Sequence, residues 1–177
     1  MGLGSGASCT ISLNTALTSE QQAIYQDPRV IREILSEAKT IAIVGLSAER
    51  QKASYFVATY LQREGYRVIP VNPRGGTILG ETVYPDLLSI PEKVDLVDVF
   101  RPAGELPTIV DQAISIGAKY VWTQLRIIQF EAAEKGRAHG LKVVMDKCVK
   151  MEHGRFSGSL HWAGMNTEII SARRAKR

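Results

Sequence analysis

Five short apolar runs, each rich in β-branched residues and starting about 25 residues apart, leave this chain little choice of architecture. They are Thr40 to Val44, Arg67 to Val71, Asp95 to Phe100, Tyr120 to Trp122 with its neighbours, and Lys142 to Met145. Near-continuous hydrophobicity without clean alternation marks strands covered on both faces, as in a parallel sheet flanked by helices. Between the runs lies helical spacing: Val30, Ile31, Ile34, Leu35 and Ala38, then Leu106, Ile109, Val110, Ala113 and Ile114, and more weakly Tyr55 to Glu64 and Gln129 to His139. Asp27-Pro28 is a helix start, since the Asp side chain accepts first-turn amides and proline at the first position gives nothing up. Gly65, Gly117 and Gly140 fall where helix ends favour positive φ. Right-handed crossovers then give an α/β fold, a doubly wound parallel five-stranded sheet with helices on both faces. One unit departs from the pattern. Gly75, Gly76, Gly80, Pro85 and Pro91 stand where a long helix would join the second and third runs, so turns, a short hairpin at Thr77 to Tyr84 and a brief helical turn are expected.

A chain of 177 residues fits one domain with one sizeable core. Residues 1–26, rich in Ser, Thr, Gly and Gln without a sustained period, read as a flexible N-terminal extension or an arm that docks elsewhere. The domain proper spans 27–153, and 154–177 form a C-terminal extension with a basic tail. No apolar run approaches the roughly 20 residues that cross a bilayer, and Met1 to Thr18 carries neither a basic start nor a continuous apolar segment. Cys9 and Cys148 are too few for a disulfide framework or a four-cysteine zinc site, so the expectation is a cytoplasmic protein without membrane contact. The net charge of +4 resides in Arg173, Arg174, Lys176 and Arg177; without them 18 basic residues face 18 acidic ones, which argues against nucleic acid as a partner. Any protein partner or homo-oligomer contact falls to the terminal extensions, where Trp162 and Met165 precede the tail.

In open parallel sheets the ligand crevice lies beyond the carboxyl ends of the strands, where strand order reverses. After the first run, Gly45 permits close backbone approach, Ser47 offers a hydroxyl, and Arg50 and Lys52 stand ahead of a helix whose first amides favour an anion. This is neither G-x-G-x-x-G nor a Walker loop, and an ordinary turn with Ser54 as N-cap has the same residues. The second run ends in Asn72-Pro73-Arg74. An NAD site usually puts a carboxylate here; Arg74 instead suits a phosphorylated ribose, as in NADP or coenzyme A, though an exposed turn has the same composition. The third run ends in Phe100-Arg101-Pro102 and the fourth in Trp122-Thr123-Gln124, with both aromatics read as core or crevice wall before stacking platform. Together the four tips describe a crevice for a long ligand with an anionic end. Beyond the fifth run, Lys147 would favour a thiolate at Cys148 with His153 as base, against the alternative of a buried structural cysteine. His139, His153 and His161 have no metal-ligand spacing.

The arrangement resembles the small stand-alone CoA-binding proteins, whose fold is similar to the CoA-binding domain of succinyl-CoA synthetase α subunits. The resemblance covers Asp27 to His153 and rests on Ala42-Ile43-Val44-Gly45-Leu46-Ser47, Ser54-Tyr55, Gly65 through Pro73, Leu79-Gly80 with Tyr84-Pro85, Ile90-Pro91, Val97-Asp98-Val99-Phe100-Arg101-Pro102, Gly117-Ala118-Lys119 with Trp122 and Gln124, and Asp146-Lys147-Cys148 with Glu152-His153. It implies a Rossmann-like domain holding coenzyme A across the strand ends. Gly45, Ser47 and Lys52 would belong to the phosphate loop, Asn72 and Pro73 to the adenosine side, Arg101 and Pro102 to the next wall, and Gln124 and Cys148 to the far crevice. Where the family commonly has Arg-Pro, this chain has Lys52-Ala53, a less rigid loop. The phosphohistidine domain of the synthetase is absent, so ligase activity does not follow.

The leading expectation is a protein that binds coenzyme A or an acyl-CoA in a binding or regulatory role, without catalysis. The alternatives are an NADP-dependent oxidoreductase using the same cationic pocket, for which no Tyr-x-x-x-Lys pair presents itself, and a thiol redox sensor in which Cys148 forms a mixed disulfide with the CoA thiol.

Overall fold

The computed structural model describes residues 16–156. Along the chain run α1 (Ser19–Tyr25), α2 (Pro28–Glu37), β1 (Thr40–Val44), α3 (Ala53–Arg63), β2 (Arg67–Val71), β3 (Thr77–Ile78), β4 (Glu81–Thr82) and β5 (Leu96–Val99). A 3-10 turn (Ala103–Glu105) then leads into α4 (Leu106–Ser115), followed by β6 (Tyr120–Thr123), α5 (Phe130–Ala138), β7 (Lys142–Val144) and α6 (Val149–Phe156). The five apolar runs are the five strands of one parallel sheet, ordered β2-β1-β5-β6-β7. From β1 the chain steps outward to β2, then returns across β1 to β5, so strand order reverses between β1 and β5.

Period-two alternation divides the core. Ala42, Val44, Ile69, Val71, Val97, Val99, Val121 and Val143 pack with α4 and α5, while Ile41, Ile43, Val68, Leu96, Tyr120, Trp122 and Val144 pack with α2, α3 and α6. The Asp27 carboxylate accepts the Arg29 amide at 2.8 Å and caps α2. Gly65, Gly117 and Gly140 all take positive φ at helix ends.

Between β2 and β5 the chain uses the β3–β4 hairpin, whose Ile78 packs with the α3 side of the core, and then turns whose Leu87 and Val94 pack with the α4 side, in place of a helix. Tyr84 bridges the outer edge of β2, exchanging hydrogen bonds with Asn72 and Pro70. The brief helical turn expected in this unit is not formed: Asp86 accepts the amide and hydroxyl of Ser89 and closes a turn instead. Nor does the flexible reading hold for residues 16–26. A Thr18–Gln21 capping box starts α1, Leu17 and Tyr25 are buried, and the Gln26 amide donates to the Met145 carbonyl at 2.9 Å. At the other end α6 carries the fold to Phe156, three residues past the expected boundary. Cys9, His161, Trp162, Met165 and the basic tail lie outside the described residues. No helix among the described residues is long and apolar enough to cross a membrane.

Candidate functional site

Where strand order reverses, a cleft of about 310 Å³ opens over the tips of β1 and β2. Val44, Gly45, Val71 and Pro73 form its floor, the connector at Pro85 and Asp86 one wall, and Arg101, Glu105 and Ile109 of the α4 entrance the other. Gly45 is required on two counts. Its φ is +89°, and a Cβ there would lie 2.8 Å from Arg101 Cδ and 3.1 Å from the Phe100 carbonyl oxygen. The Arg101 stem therefore lies directly on the first strand's tip, and its guanidinium is held by the Glu105 carboxylate through two bonds of 2.8 and 2.7 Å.

The loop after β1 is tied from within. The Ser47 amide donates to Ser54 Oγ, and Ser47 Oγ accepts the Glu49 amide, both at 3.1 Å. Ser54 is thus a loop staple, not the N-cap: Lys52 holds that position and makes no side-chain cap. Asn72 couples this loop to the β2 tip, its Nδ2 donating to the Leu46 carbonyl and its Oδ1 accepting the Arg74 amide. Arg50, Lys52 and Arg74 stand exposed on these two loops.

Farther along the sheet edge the candidates separate. Phe100 is half-buried against the α3 side of the core, and Pro102 is exposed ahead of the 3-10 turn. Trp122 is wholly buried, its indole N–H donated to the Lys147 carbonyl at 2.7 Å, so it offers a ligand no surface and instead fixes the loop that carries Cys148. Gln124 is buried and donates to Asp98 Oδ1 at 2.7 Å. Cys148 is half-buried at the start of α6. Burial pushes its thiol up, against the lowering effect of hydrogen bonds from the Met151 and Lys150 amides; the nearby Asp98 charge adds to the rise. The Lys147–Cys148–His153 arrangement weighed against a buried structural cysteine does not form. Lys147 faces Glu152 at 3.7 Å, and His153 is turned to the Tyr60 hydroxyl at 2.8 Å between the Tyr60 and Tyr66 rings, where burial lowers its pKa.

Sequence reasoning singled out no site role for Asp98 or Glu105. Both left a signal: Asp98 is a charge inside the apolar run Leu96–Val99, and Glu105 stands one helical turn from Arg101. Among the described residues no group of three or more His, Cys, Asp and Glu is placed to hold a metal ion.

A doubly wound parallel sheet with a cleft at its switch point, walled by Arg101, defines a domain of the nucleotide- and cofactor-binding class. Within that class the chain belongs to the CoA binding domain family, whose model matches residues 39–154. It is 36% identical over 123 residues to the uncharacterized protein YneT of Bacillus subtilis, covering 70% of this chain and 91% of that protein. A hypothetical protein from Pyrococcus horikoshii OT3, of solved structure, superposes with a TM-score of 0.71 at 40% identity, covering 73% of this chain and 91% of that one. An ADP-forming acetate-CoA ligase I of Archaeoglobus fulgidus is 30% identical over 129 residues, 67% of this chain but 19% of the ligase.

Proposed function

We propose that this chain binds coenzyme A or an acyl-CoA across the carboxyl ends of its parallel strands, as a binding or regulatory protein. The observation that carries the reading is the cleft at the β1–β5 switch point, floored by Gly45 and Pro73 and walled by Arg101, with Arg50, Lys52 and Arg74 exposed on the loops that follow β1 and β2. In this reading Gly45 and Ser47 let the diphosphate approach the backbone, Arg50 and Lys52 meet its charge, and Arg74 meets the 3′-phosphate beside the adenosine at Asn72 and Pro73. Arg101 and Pro102 border the pantetheine arm, which runs past Phe100 toward Gln124 and Cys148. From β1 to β7 is three strand spacings, roughly 14 Å at about 4.8 Å each, a reach that arm covers. The A. fulgidus relative is named a CoA ligase, yet this chain spans about a fifth of its length, so the ligase reaction is not carried over.

Calorimetry with CoA and dephospho-CoA tests the reading. A charge-assisted phosphate contact contributes roughly 1.5–3 kcal/mol, so loss of the 3′-phosphate is expected to weaken binding about ten- to a hundredfold. Equal affinities, or no binding of either, overturn it; NADPH held more tightly than CoA, with reductase turnover, replaces it by the oxidoreductase.

A further inference from the structure

Where α3 and α6 pack side by side, the outer layer of the fold carries a strip of aromatic rings left partly open to solvent. Phe56, in the first turn of α3, is 58% exposed, as much as any large apolar side chain among the described residues. Tyr60, one helical turn on, continues the same face and is half-buried. Its hydroxyl lies 2.8 Å from His153 Nδ1 of α6, and Lys150 Nζ stands 5.8 Å over its ring. Phe156 ends the strip at the last residue of α6, half-buried, with the Arg32 guanidinium 5.0 Å from its ring centroid.

The chain continues from Phe156 into residues 157–177, which lie outside the described residues. Ser157 to Thr167 contains no Asp, Glu, Lys or Arg but holds Leu160, Trp162 and Met165; charge returns at Glu168 and in the basic tail. Gly158 follows just past the helix end, where a residue tolerant of positive φ lets the backbone reverse. Helix geometry sets the reach. Tyr60 and Tyr66, before and after the end of α3, both flank His153, while Lys150 stands over Tyr60, so α3 and α6 run the same way. With Tyr60 level with His153, Phe56 lies about 6 Å up the layer and Phe156 about 4.5 Å down it. Across an interhelix spacing of about 10 Å, the two phenylalanines are about 15 Å apart. Residues 157–162 extend to about 20 Å, enough to return Trp162 to Phe56.

We propose that residues 160–165 dock on the α3–α6 face of their own chain, with Trp162 covering Phe56 and Leu160 lying toward Tyr60. An apolar stretch without ionised side chains complements an aromatic strip within its reach, and its tether gives it an effective concentration that a separate partner must exceed. Lys52 is the N-cap of α3, so a segment seated on Phe56 lies one turn from the loop that carries Arg50 and Lys52. The inference is independent of the CoA reading.

The test uses the two tryptophans of the full chain, of which Trp122 is wholly buried. Acrylamide quenching of the wild type against Trp162→Phe isolates the Trp162 signal. Expected is a shielded Trp162 at concentrations where light scattering shows a monomer. Phe56→Asp should move the docked–free equilibrium about ten- to a hundredfold toward free and unshield it. Leu88→Asp, at an equally exposed leucine elsewhere, should leave it shielded. In a Cys9→Ser, Cys148→Ser background, mild oxidation of the Phe56→Cys, Trp162→Cys variant should close a disulfide within one chain. Free quenching of Trp162 in the wild type overturns the inference, as does shielding that Phe56→Asp leaves intact or Leu88→Asp removes. Shielding found only in a dimer, or a disulfide formed only between chains, also overturns it and gives the face to a second copy. Wild-type quenching decides even if a variant does not fold.

Discussion

Asp98 makes the stability of this protein depend on pH in the opposite sense to most carboxylates. Complete burial raises its pKa from an ordinary 3.8 to about 7, against the lowering effect of the Gln124 hydrogen bond. Between these values the folded chain retains a proton that the unfolded chain has released, so stability falls as pH rises, by about 1.4 kcal/mol per unit. Below the lower value both states are protonated and the contribution is fully present; above the higher one both are ionised and nothing more is lost. Over about three units the loss approaches about 4 kcal/mol, an upper figure because water entry and relaxation soften the burial of a charge. Asp98→Asn removes the titration while its amide oxygen still accepts from Gln124. Urea denaturation of both proteins from pH 4 to pH 8 isolates the effect, since the carboxylates with lowered pKa, Asp27 and Asp95 among them, contribute equally to each. The variant should gain on the wild type steadily up to about pH 7 and hold that advantage beyond. Parallel curves would mean that Asp98 is not a buried acid, and the argument would fail.

Gly45→Ala should cost about 1–3 kcal/mol, read as a lowered melting temperature, because its positive φ and the contacts with Arg101 and the Phe100 carbonyl leave no room for a methyl group; unchanged stability would refute the close approach. Trp122→Phe removes the donor to the Lys147 carbonyl and should cost about 1–3 kcal/mol while increasing alkylation of Cys148 by iodoacetamide. Slower alkylation would show that Trp122 does not anchor that loop. Glu105→Gln frees Arg101 from an exposed ion pair, so stability should change by less than about 1 kcal/mol. CoA affinity should rise about fivefold, the equivalent of that energy. Weaker binding by calorimetry would show that Arg101 does not meet the ligand's charge.

Much of the architecture was legible because burial on both faces makes each strand a solid apolar word, and β2, β1, β5, β6 and β7 all begin or end within two residues of those words. The hairpin at Thr77 to Thr82 announced itself through Gly75, Gly76 and Gly80, all at positive φ. Helix α1 did not, because seven residues show barely two turns of periodicity and what holds it is distant. Tyr25 and Gln26 are secured by Glu134 and the Met145 carbonyl, more than a hundred residues away. Gly45, Pro73 and Arg101 line one cleft because they stand at strand ends, which the parallel topology forces together. Trp122, read as core or crevice wall, is core; its position at a strand tip was legible, but which face of the sheet its indole enters depends on register with β5. Cys148 and His153 stand five residues apart in the sequence, yet the fold half-buries Cys148 ahead of α6 and turns His153 toward Tyr60.

The span from Asn72 to Asp95 returns over the sheet as a thin ribbon, where its counterparts from β5 and β6 lay down full cylinders. The groove beside α4 lies against that ribbon at Pro85 and Asp86. Lengthening that span until it coiled would fill the groove with the chain's own backbone, silencing the protein without altering a single residue on the groove's floor.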